Sequence, residues 1–379
     1  MQIMAFRATI LLLFVLSAIA TAQTRMSVAD VESLLSSHTH GDELAARLTT
    51  MELTERVTPA RLARWQAELK DSKSRTALQA IADLSVFRPA PQADISPAPP
   101  PDQSTQLAIL DRATAYTRGM VPRLPNFLAV RTTTRFEFAA PDDLKQEEQT
   151  LQLAQMTRAR LHYTPLAVIS HQLLIFLVGS NRSTVTYRNG AEISTPEPDP
   201  REGLRLADPG LVSSGEFGSI LSVMDKDAAA GTITWDHWEQ GAGKLLAVYR
   251  YSVPKAKSHF ALYSPPVLLG MPPEKHTPAY HGEIAIDPDD GSVYRITLLA
   301  ETDPPDPSLL SGVSVEYAPI AMGGTSYVCP VHAIAVMTLP EATRKGAPAL
   351  RRFVNDTTFT GYHVFRSDTR IVPDKPPSP

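Results

Sequence analysis

Strand-type segments recur along most of the chain, and this recurrence limits the possible folds more than any other feature. Within them Val, Ile, Thr, Tyr and Phe alternate with polar residues at a period of two, which is typical of half-buried β-strands. The predicted strands are Phe127 to Phe138, Ala167 to Val178, Val185 to Arg188, Thr232 to Trp238, Leu245 to Val253, Phe260 to Tyr263, Tyr280 to Ile286, Val293 to Glu301, Val313 to Tyr317, Tyr327 to Met337 and Thr358 to Phe365.

Turn sequences separate several of these segments. Asn189-Gly190, Gly241-Ala242-Gly243 and Asp289-Asp290-Gly291 supply residues that tolerate the backbone angles of tight hairpins. Sequential strands are therefore expected to pair antiparallel. So many strands with few helices predict an α+β protein in which one large curved sheet, a half-barrel, is covered by helices. One covering helix is predicted from Ser214 to about Ala228.

Residues 1–22 have the layout of a cleavable signal peptide. Arg7 precedes an apolar run from Ala8 to Leu16, and the small residues Ala20-Thr21-Ala22 end the segment. The alternative is a membrane anchor, but the run is shorter than the roughly 20 residues that a spanning helix needs. We therefore predict cleavage after Ala22, a periplasmic or secreted location, and no integral membrane span after cleavage.

The sequence pattern divides the remaining chain into four regions. We predict a helical region at 23–87, a proline-rich linker at 88–102, a helix plus the β half-barrel at 103–371, and a disordered tail at 372–379. In the helical region Thr58-Pro59 opens one helix, because threonine caps free amides and proline suits the first helical position. The linker contains six prolines, which block helix and ladder hydrogen bonds. After it, a helix from about Gln103 to Met120 aligns Leu107, Leu110, Ala113 and Tyr116.

Composition and missing motifs exclude several classes of function. The net charge of -4 comes without a basic stripe, so we predict no nucleic-acid partner. Cys329 is the only cysteine, so the chain has no intramolecular disulfide, and Cys329 itself is expected in a buried strand. Neither a G-x-S-x-G elbow nor an H-E-x-x-H helix nor a phosphate-binding glycine loop is present. We predict no catalytic residue, metal ligand or cofactor.

Neighbouring strands present faces that are wholly apolar or aromatic. The strand from Leu245 to Val253 has one such face, and the two strands around the Asp289-Asp290-Gly291 turn have another. A packed core and a groove for an apolar ligand would both produce this pattern. For a groove, the predicted ligand-binding residues are Tyr249, Tyr251, Ile284, Ile286, Tyr294, Ile296 and Leu298.

A resemblance favours the groove. The run Tyr280-His281-Gly282-Glu283-Ile284-Ala285-Ile286-Asp287-Pro288, followed by Asp290-Gly291 and Val293-Tyr294-Arg295-Ile296, resembles the turn region of the Lol-type periplasmic lipoprotein carriers. Over about Leu124 to Ile371 this resemblance implies an unclosed half-barrel with a helical lid, whose apolar concave face shields acyl chains. The carriers are smaller and lack a helical region before a proline-rich spacer.

A second resemblance is to a group of uncharacterised exported bacterial proteins, and it implies no activity. Its residues are Leu124-Pro125-Asn126-Phe127, Met322-Gly323-Gly324-Thr325-Ser326-Tyr327 and Phe359-Thr360-Gly361-Tyr362-His363-Val364-Phe365. Together the patterns predict an exported binding protein that holds an apolar or acyl-bearing ligand in the half-barrel.

Two other functions stay open. His281 and Glu283 lie two apart on one strand, a spacing that could present an imidazole and a carboxylate to zinc in a metal-dependent hydrolase. His38-Thr39-His40-Gly41-Asp42 has metallo-hydrolase spacing as well, but it lies between helices, so a polar turn is the favoured interpretation. The third candidate is an envelope scaffold that docks a protein partner through its N-terminal helices.

Overall fold

The computed structural model describes most of the mature chain that the sequence predicts. The described residues are 24–37, 40–139, 164–165, 174–197, 211, 213, 215–218, 220–221, 226–227, 230–241, 243–264, 274–306, 309–342 and 348–365. The predicted signal peptide with its cleavage site, and the predicted tail at 372–379, lie outside the described residues.

The fold is α+β, as predicted. Its described α-helices are α1 (Val28–Ser36), α2 (Gly41–Thr49), α3 (Pro59–Glu68), α4 (Ser72–Leu84) and α5 (Gln103–Arg123). The strands are β1 (Thr24–Met26), β2 (Met51–Leu53), β3 (Phe127–Ala139), β4 (Thr164–Pro165), β5 (Leu174–Arg188), β6 (Ala191–Pro196), β7 (Thr232–Gly241), β8 (Lys244–Val253), β9 (Leu262–Ser264), β10 (Glu274–His276), β11 (Tyr280–Ile286), β12 (Val293–Ala300), β13 (Ser311–Met322), β14 (Thr325–Ala342) and β15 (Pro348–Val364).

One open antiparallel sheet dominates the molecule. Its order is β4-β5-β3-β15-β14-β13-β12-β11-β8-β7, and β6 also pairs with β5. The predicted hairpins are confirmed: Asn189 and Gly190 join β5 to β6 with positive φ angles of 53° and 80°, and Gly291, at 78°, lies between β11 and β12. Within the described residues the two ends of this order do not pair, so the sheet forms no closed barrel.

Helix α5 covers one face of the sheet, here called the α5 face. Ile109, Ala113 and Met120 of α5 pack into the main hydrophobic core with strand residues and with Phe217. The sequence places Leu107 on the same apolar stripe, but Leu107 is 55% exposed, because the stripe that meets the sheet is centred on Ile109 and Ala113. The predicted helix from Ser214 lies partly outside the described residues, although Ile220 and Leu221 belong to the core.

Helices α1 to α4 form a layer on the opposite face, here called the helical-layer face. Leu78 and Ile81 of α4 share a buried cluster with Phe136, Val336 and Val354 of the sheet. The predicted cap at Thr58 is confirmed, since its side chain accepts a hydrogen bond from the Arg61 amide and Pro59 begins α3. The apolar stripes of these helices are thus buried against the chain's own sheet.

The proline-rich segment carries the chain from one face to the other. It follows the edge strand β7: Ile95 bridges Glu239, and the Ser96 amide donates to the Trp238 carbonyl at 2.8 Å. The indole of Trp238 donates in turn to the Pro99 carbonyl at 3.0 Å. The prolines are therefore docked along an edge whose backbone groups would otherwise be open to other chains. No described helix is both long and apolar enough to cross a membrane.

Candidate functional site

The structure brings six of the seven predicted ligand-binding residues together on the α5 face. They are Tyr249, Tyr251, Ile284, Ile286, Ile296 and Leu298, and all belong to the main buried core. The Tyr249 hydroxyl donates to the Gln106 carbonyl of α5 at 2.9 Å, and the Tyr251 hydroxyl donates to the Thr297 carbonyl. These six side chains are therefore part of the packed core between helix α5 and the sheet.

Tyr294, the seventh residue, lies on the other face. Ala285 pairs with Arg295 and Ile286 pairs with Val293, so Tyr294 is the extra residue of a β-bulge. The bulge turns Tyr294 away from Ile296 and into a small cluster with Leu246, Val248 and Ala285. The prediction that Tyr294 shares the face of Ile296 is wrong for this reason.

An open groove of about 580 Å³ lies on the helical-layer face. Strand β2 and helix α4 form one wall, and the sheet forms the floor. The rim is formed by Glu301, Thr302, Pro305, Asp306, Leu309 and Leu310. This volume lies within the range of small-molecule sites. The lining residues include Leu53, Ile81, Leu84, Phe87, Phe138, Leu299, Leu309 and Leu310 on the apolar surface, and Glu52, Arg88, His281, Glu301, Asp306 and Arg352 around it.

Gly312 of β13 lets the ring of Phe87, which lines the groove, lie close to the sheet. A Cβ at Gly312 would come within 3.0 Å of the Phe87 ring and 2.4 Å of the Leu298 carbonyl. Any side chain at position 312 must therefore displace Phe87 or the neighbouring strand. The absence of a side chain brings Phe87, which follows α4, close to β13.

A buried cluster of charges joins the helical layer to the sheet. Arg56, from the loop after β2, contacts the Glu239 carboxylate, which Arg295 also grips at 2.8 and 3.0 Å. Burial lowers the pKa of Arg56, and the neighbouring Arg295 lowers it further. Burial alone would raise the pKa of Glu239, but Arg295, His237 and Arg56 together overcome this effect and hold the pKa well below its ordinary value. The Glu239 carboxyl group is therefore ionised at neutral pH and lies between two guanidinium groups.

A second polar cluster lies under α4. His332 of β14 meets the Asp356 carboxylate at 2.7 Å, and Asp83 of α4 faces both. Burial by itself lowers the pKa of His332, but the hydrogen bond and the charge of Asp356, together with the carboxyl groups nearby, outweigh burial and raise the pKa to about 9. Burial raises the pKa of Asp83, and the nearby Asp356 raises it further. Asp83, His332 and Glu316 line a cavity of about 20 Å³, which has room for about one water molecule.

The two residues of the predicted hydrolase do not face a common point, and of the two only His281 lines the groove. His281 contacts Glu301 at 3.0 Å, whereas Glu283 contacts Arg295 at 3.5 Å and Arg250 at 3.6 Å. His40 precedes α2, and His38 of the same motif is outside the described residues. Among the residues that the structure describes, no group of three or more His, Cys, Asp or Glu side chains is arranged to hold a metal ion.

Sequence reasoning missed the groove because its walls come from segments far apart in the chain. The sequence offered one weak signal. Arg352 lies two residues before the buried Val354 and therefore faces the same side of the strand. Charged residues at such positions need a partner or a function.

Comparisons of the chain with models of protein families, with curated proteins and with solved structures give no match.

Proposed function

We propose that this chain is an exported binding protein that holds an apolar or acyl-bearing ligand, and that the ligand occupies the groove between α4 and the sheet. The observation that carries the proposal is the groove itself, about 580 Å³ of open space with an apolar lining and a charged rim. An apolar lining gains free energy when a ligand displaces water from it, at about 25 cal/mol per Å² of apolar area.

The α5 face is the less favourable location for this ligand. Its predicted contact residues pack against α5, and their phenol groups are hydrogen-bonded to backbone carbonyls. A ligand there would have to displace α5, whereas the groove needs no such rearrangement. The signal-peptide layout of residues 1–22 supports export to a periplasm or beyond.

The test uses a pair of variants with the same substitution. Leu299→Trp puts a larger side chain on the groove floor, and Leu107→Trp makes the same change on the exposed surface of α5. Binding of a fluorescent fatty acid is measured by titration, with circular dichroism as the check on folding. We expect wild type and Leu107→Trp to bind alike and Leu299→Trp to lose about tenfold in affinity.

Equal binding by all three proteins would place the ligand elsewhere. Leu309→Trp provides a second groove variant on the rim, where fewer packing contacts are disturbed, in case Leu299→Trp does not fold. Absence of binding to the wild-type protein would contradict the proposed function itself.

A further inference from the structure

The last turn of α4 contributes side chains to two cavities at once. Ile81 and Leu84 line the groove that we propose as the ligand site. Asp83, which lies between them in the sequence, lines the small cavity of about 20 Å³ beside the same helix. A displacement of this turn would therefore change the groove wall and the small cavity together.

The sheet presents further ionisable groups to this small cavity. Glu316 of β13 and His332 of β14 line it. Asp356 of β15 contacts the His332 imidazole at 2.7 Å. The carboxyl groups of Asp83, Glu316 and Asp356 all lie close enough to His332 to raise its pKa. Three carboxyl groups thus share the neighbourhood of one imidazole.

Asp83 is held in the cavity without a counterion in direct contact. Its Oδ1 accepts a hydrogen bond from Gln79 of the same helix at 2.8 Å, and its buried Oδ2 has no hydrogen-bond partner among the described residues. Burial raises the pKa of Asp83, and Asp356 raises it further. The charge of His332 acts in the opposite direction, but its imidazole is hydrogen-bonded to Asp356. An ionised Asp83 would be a buried carboxylate without an ion pair, which is costly.

The other surroundings of the cavity do not supply the missing counterion. Arg56 and Arg295 act on Glu316, but both arginines are paired with Glu239. In the described part of the chain, Asp83 therefore has no cation to pair with when it loses its proton. The remaining lining residues are apolar or neutral, namely Val57, Pro59, Leu62, Val86, Ser314 and Ile334.

We propose that protonation of Asp83 holds the last turn of α4 against the sheet, and that ionisation of Asp83 releases this turn, opens the groove wall and weakens ligand binding. This assignment rests on the proposed binding function and adds its regulation by pH. The docked helix keeps the proton on Asp83 to a higher pH than a displaced helix does. Docking therefore weakens as the pH rises above 3.8, the ordinary pKa of the group. The ligand is held at acidic pH and released as the pH rises.

The experiment measures binding of lauryl alcohol, a ligand that does not ionise in the range used. It is titrated by calorimetry into residues 23 to 379, the mature chain that the sequence predicts. We expect wild type to lose about tenfold in affinity between about pH 5 and about pH 8, because the affinity falls with the fraction of protein in which α4 is docked. Asp83→Asn puts a neutral amide of similar shape in the cavity, so its affinity should not change with pH.

Two further variants are the controls. Asp42→Asn makes the same change at an exposed ion pair with Lys73 and should keep the pH dependence of wild type. His281 is another titratable group at the groove, and His281→Gln should keep the pH dependence as well. A pH dependence that Asp83→Asn retains, or that His281→Gln removes, would overturn the role of Asp83.

Hydrogen exchange of the ligand-free wild type gives a second measurement, in case Asp83→Asn does not fold. After correction for the intrinsic effect of pH on exchange, we expect the protection of α4 to fall relative to that of α5 over the same pH range. Helix α5 is the internal reference because it packs on the opposite face of the sheet. Equal pH profiles for the two helices would contradict release of α4.

The outcomes separate this assignment from the proposed function. Binding of lauryl alcohol by wild type with the same affinity at every pH would overturn the regulation by Asp83 and leave the binding function standing. Failure of wild type to bind at any pH would overturn both.

Discussion

Arg295 and Glu239 form a buried ion pair with two parallel hydrogen bonds, Nη1 to Oε1 at 2.8 Å and Nη2 to Oε2 at 3.0 Å. Both residues belong to the sheet, yet the same carboxylate also holds Arg56 from the helical layer. One acidic side chain therefore joins the two layers that enclose the groove. Its removal would leave two buried guanidinium groups facing each other.

We expect Glu239→Gln to lower the free energy of unfolding by about 3 kcal/mol or more, because breaking a buried ion pair leaves an uncompensated charge. Urea denaturation measures the change. Glu43→Gln is the control, since Glu43 forms an exposed pair with Arg47, and such pairs contribute less than about 1 kcal/mol. A Glu239→Gln protein as stable as the control would show that the cluster does not hold the layers together.

Tyr280 of β11 connects the sheet to the buried residue Asp227. Its hydroxyl donates to the buried Asp227 carboxylate at 2.8 Å, and the His259 amide donates to the same oxygen at 2.7 Å. Tyr280→Phe removes one donor from a buried carboxylate, so we expect a loss of about 1 to 3 kcal/mol in unfolding free energy.

Tyr263→Phe is the control for that substitution, since Tyr263 is exposed. It should leave the thermal midpoint unchanged, while Tyr280→Phe lowers it. Equal midpoints for the two variants would mean that the Tyr280 hydroxyl contributes no net stability.

His332 makes the stability depend on pH in the alkaline range. Its pKa is raised to about 9 in the folded protein, above the ordinary 6.5, mainly through Asp356 once the opposing effect of burial is overcome. A raised histidine pKa contributes stability that is complete below about 6.5 and is lost as the pH rises through about 9. The raised pKa of Asp83 acts in the same direction, because ionisation of this buried carboxyl disfavours the folded state.

We therefore expect wild type to exceed His332→Gln in unfolding free energy by on the order of 2 kcal/mol near pH 6, and this difference to shrink near pH 10. Parallel urea titrations at the two pH values measure it. His281→Gln, at an exposed ion pair, should change stability little at either pH. If wild type and His332→Gln differed in unfolding free energy by the same amount at both pH values, the raised pKa of His332 would be contradicted.

Local chemistry made part of the fold predictable. Asn189-Gly190 permits the positive φ angles of a tight turn, and Thr58-Pro59 begins a helix, so both features follow from a few adjacent residues. The α+β class and the antiparallel sheet follow from the same short-range patterns.

The site was harder to predict for two physical reasons. The sheet is covered on both faces, so Tyr249 on one face and Val248 on the other are equally buried. The alternation of side chains along a strand therefore does not tell which face leaves room for a ligand. The bulge at Tyr294 shifts the alternation without a distinctive sequence. Arg88 and Arg352 line the same groove but lie far apart in the chain, so no spacing in the sequence joins them.

The most direct test of the account is mass spectrometry of an organic extract from residues 23 to 379, the mature chain that the sequence predicts, purified without detergent from cells that supply natural lipids. We predict a near-stoichiometric apolar or acyl-bearing compound in the extracts of wild type and Leu107→Trp, and its loss from the extract of Leu299→Trp. Extracts without any such compound from all three proteins, or the same yield from Leu299→Trp as from wild type, would contradict the claim that the groove is a ligand site.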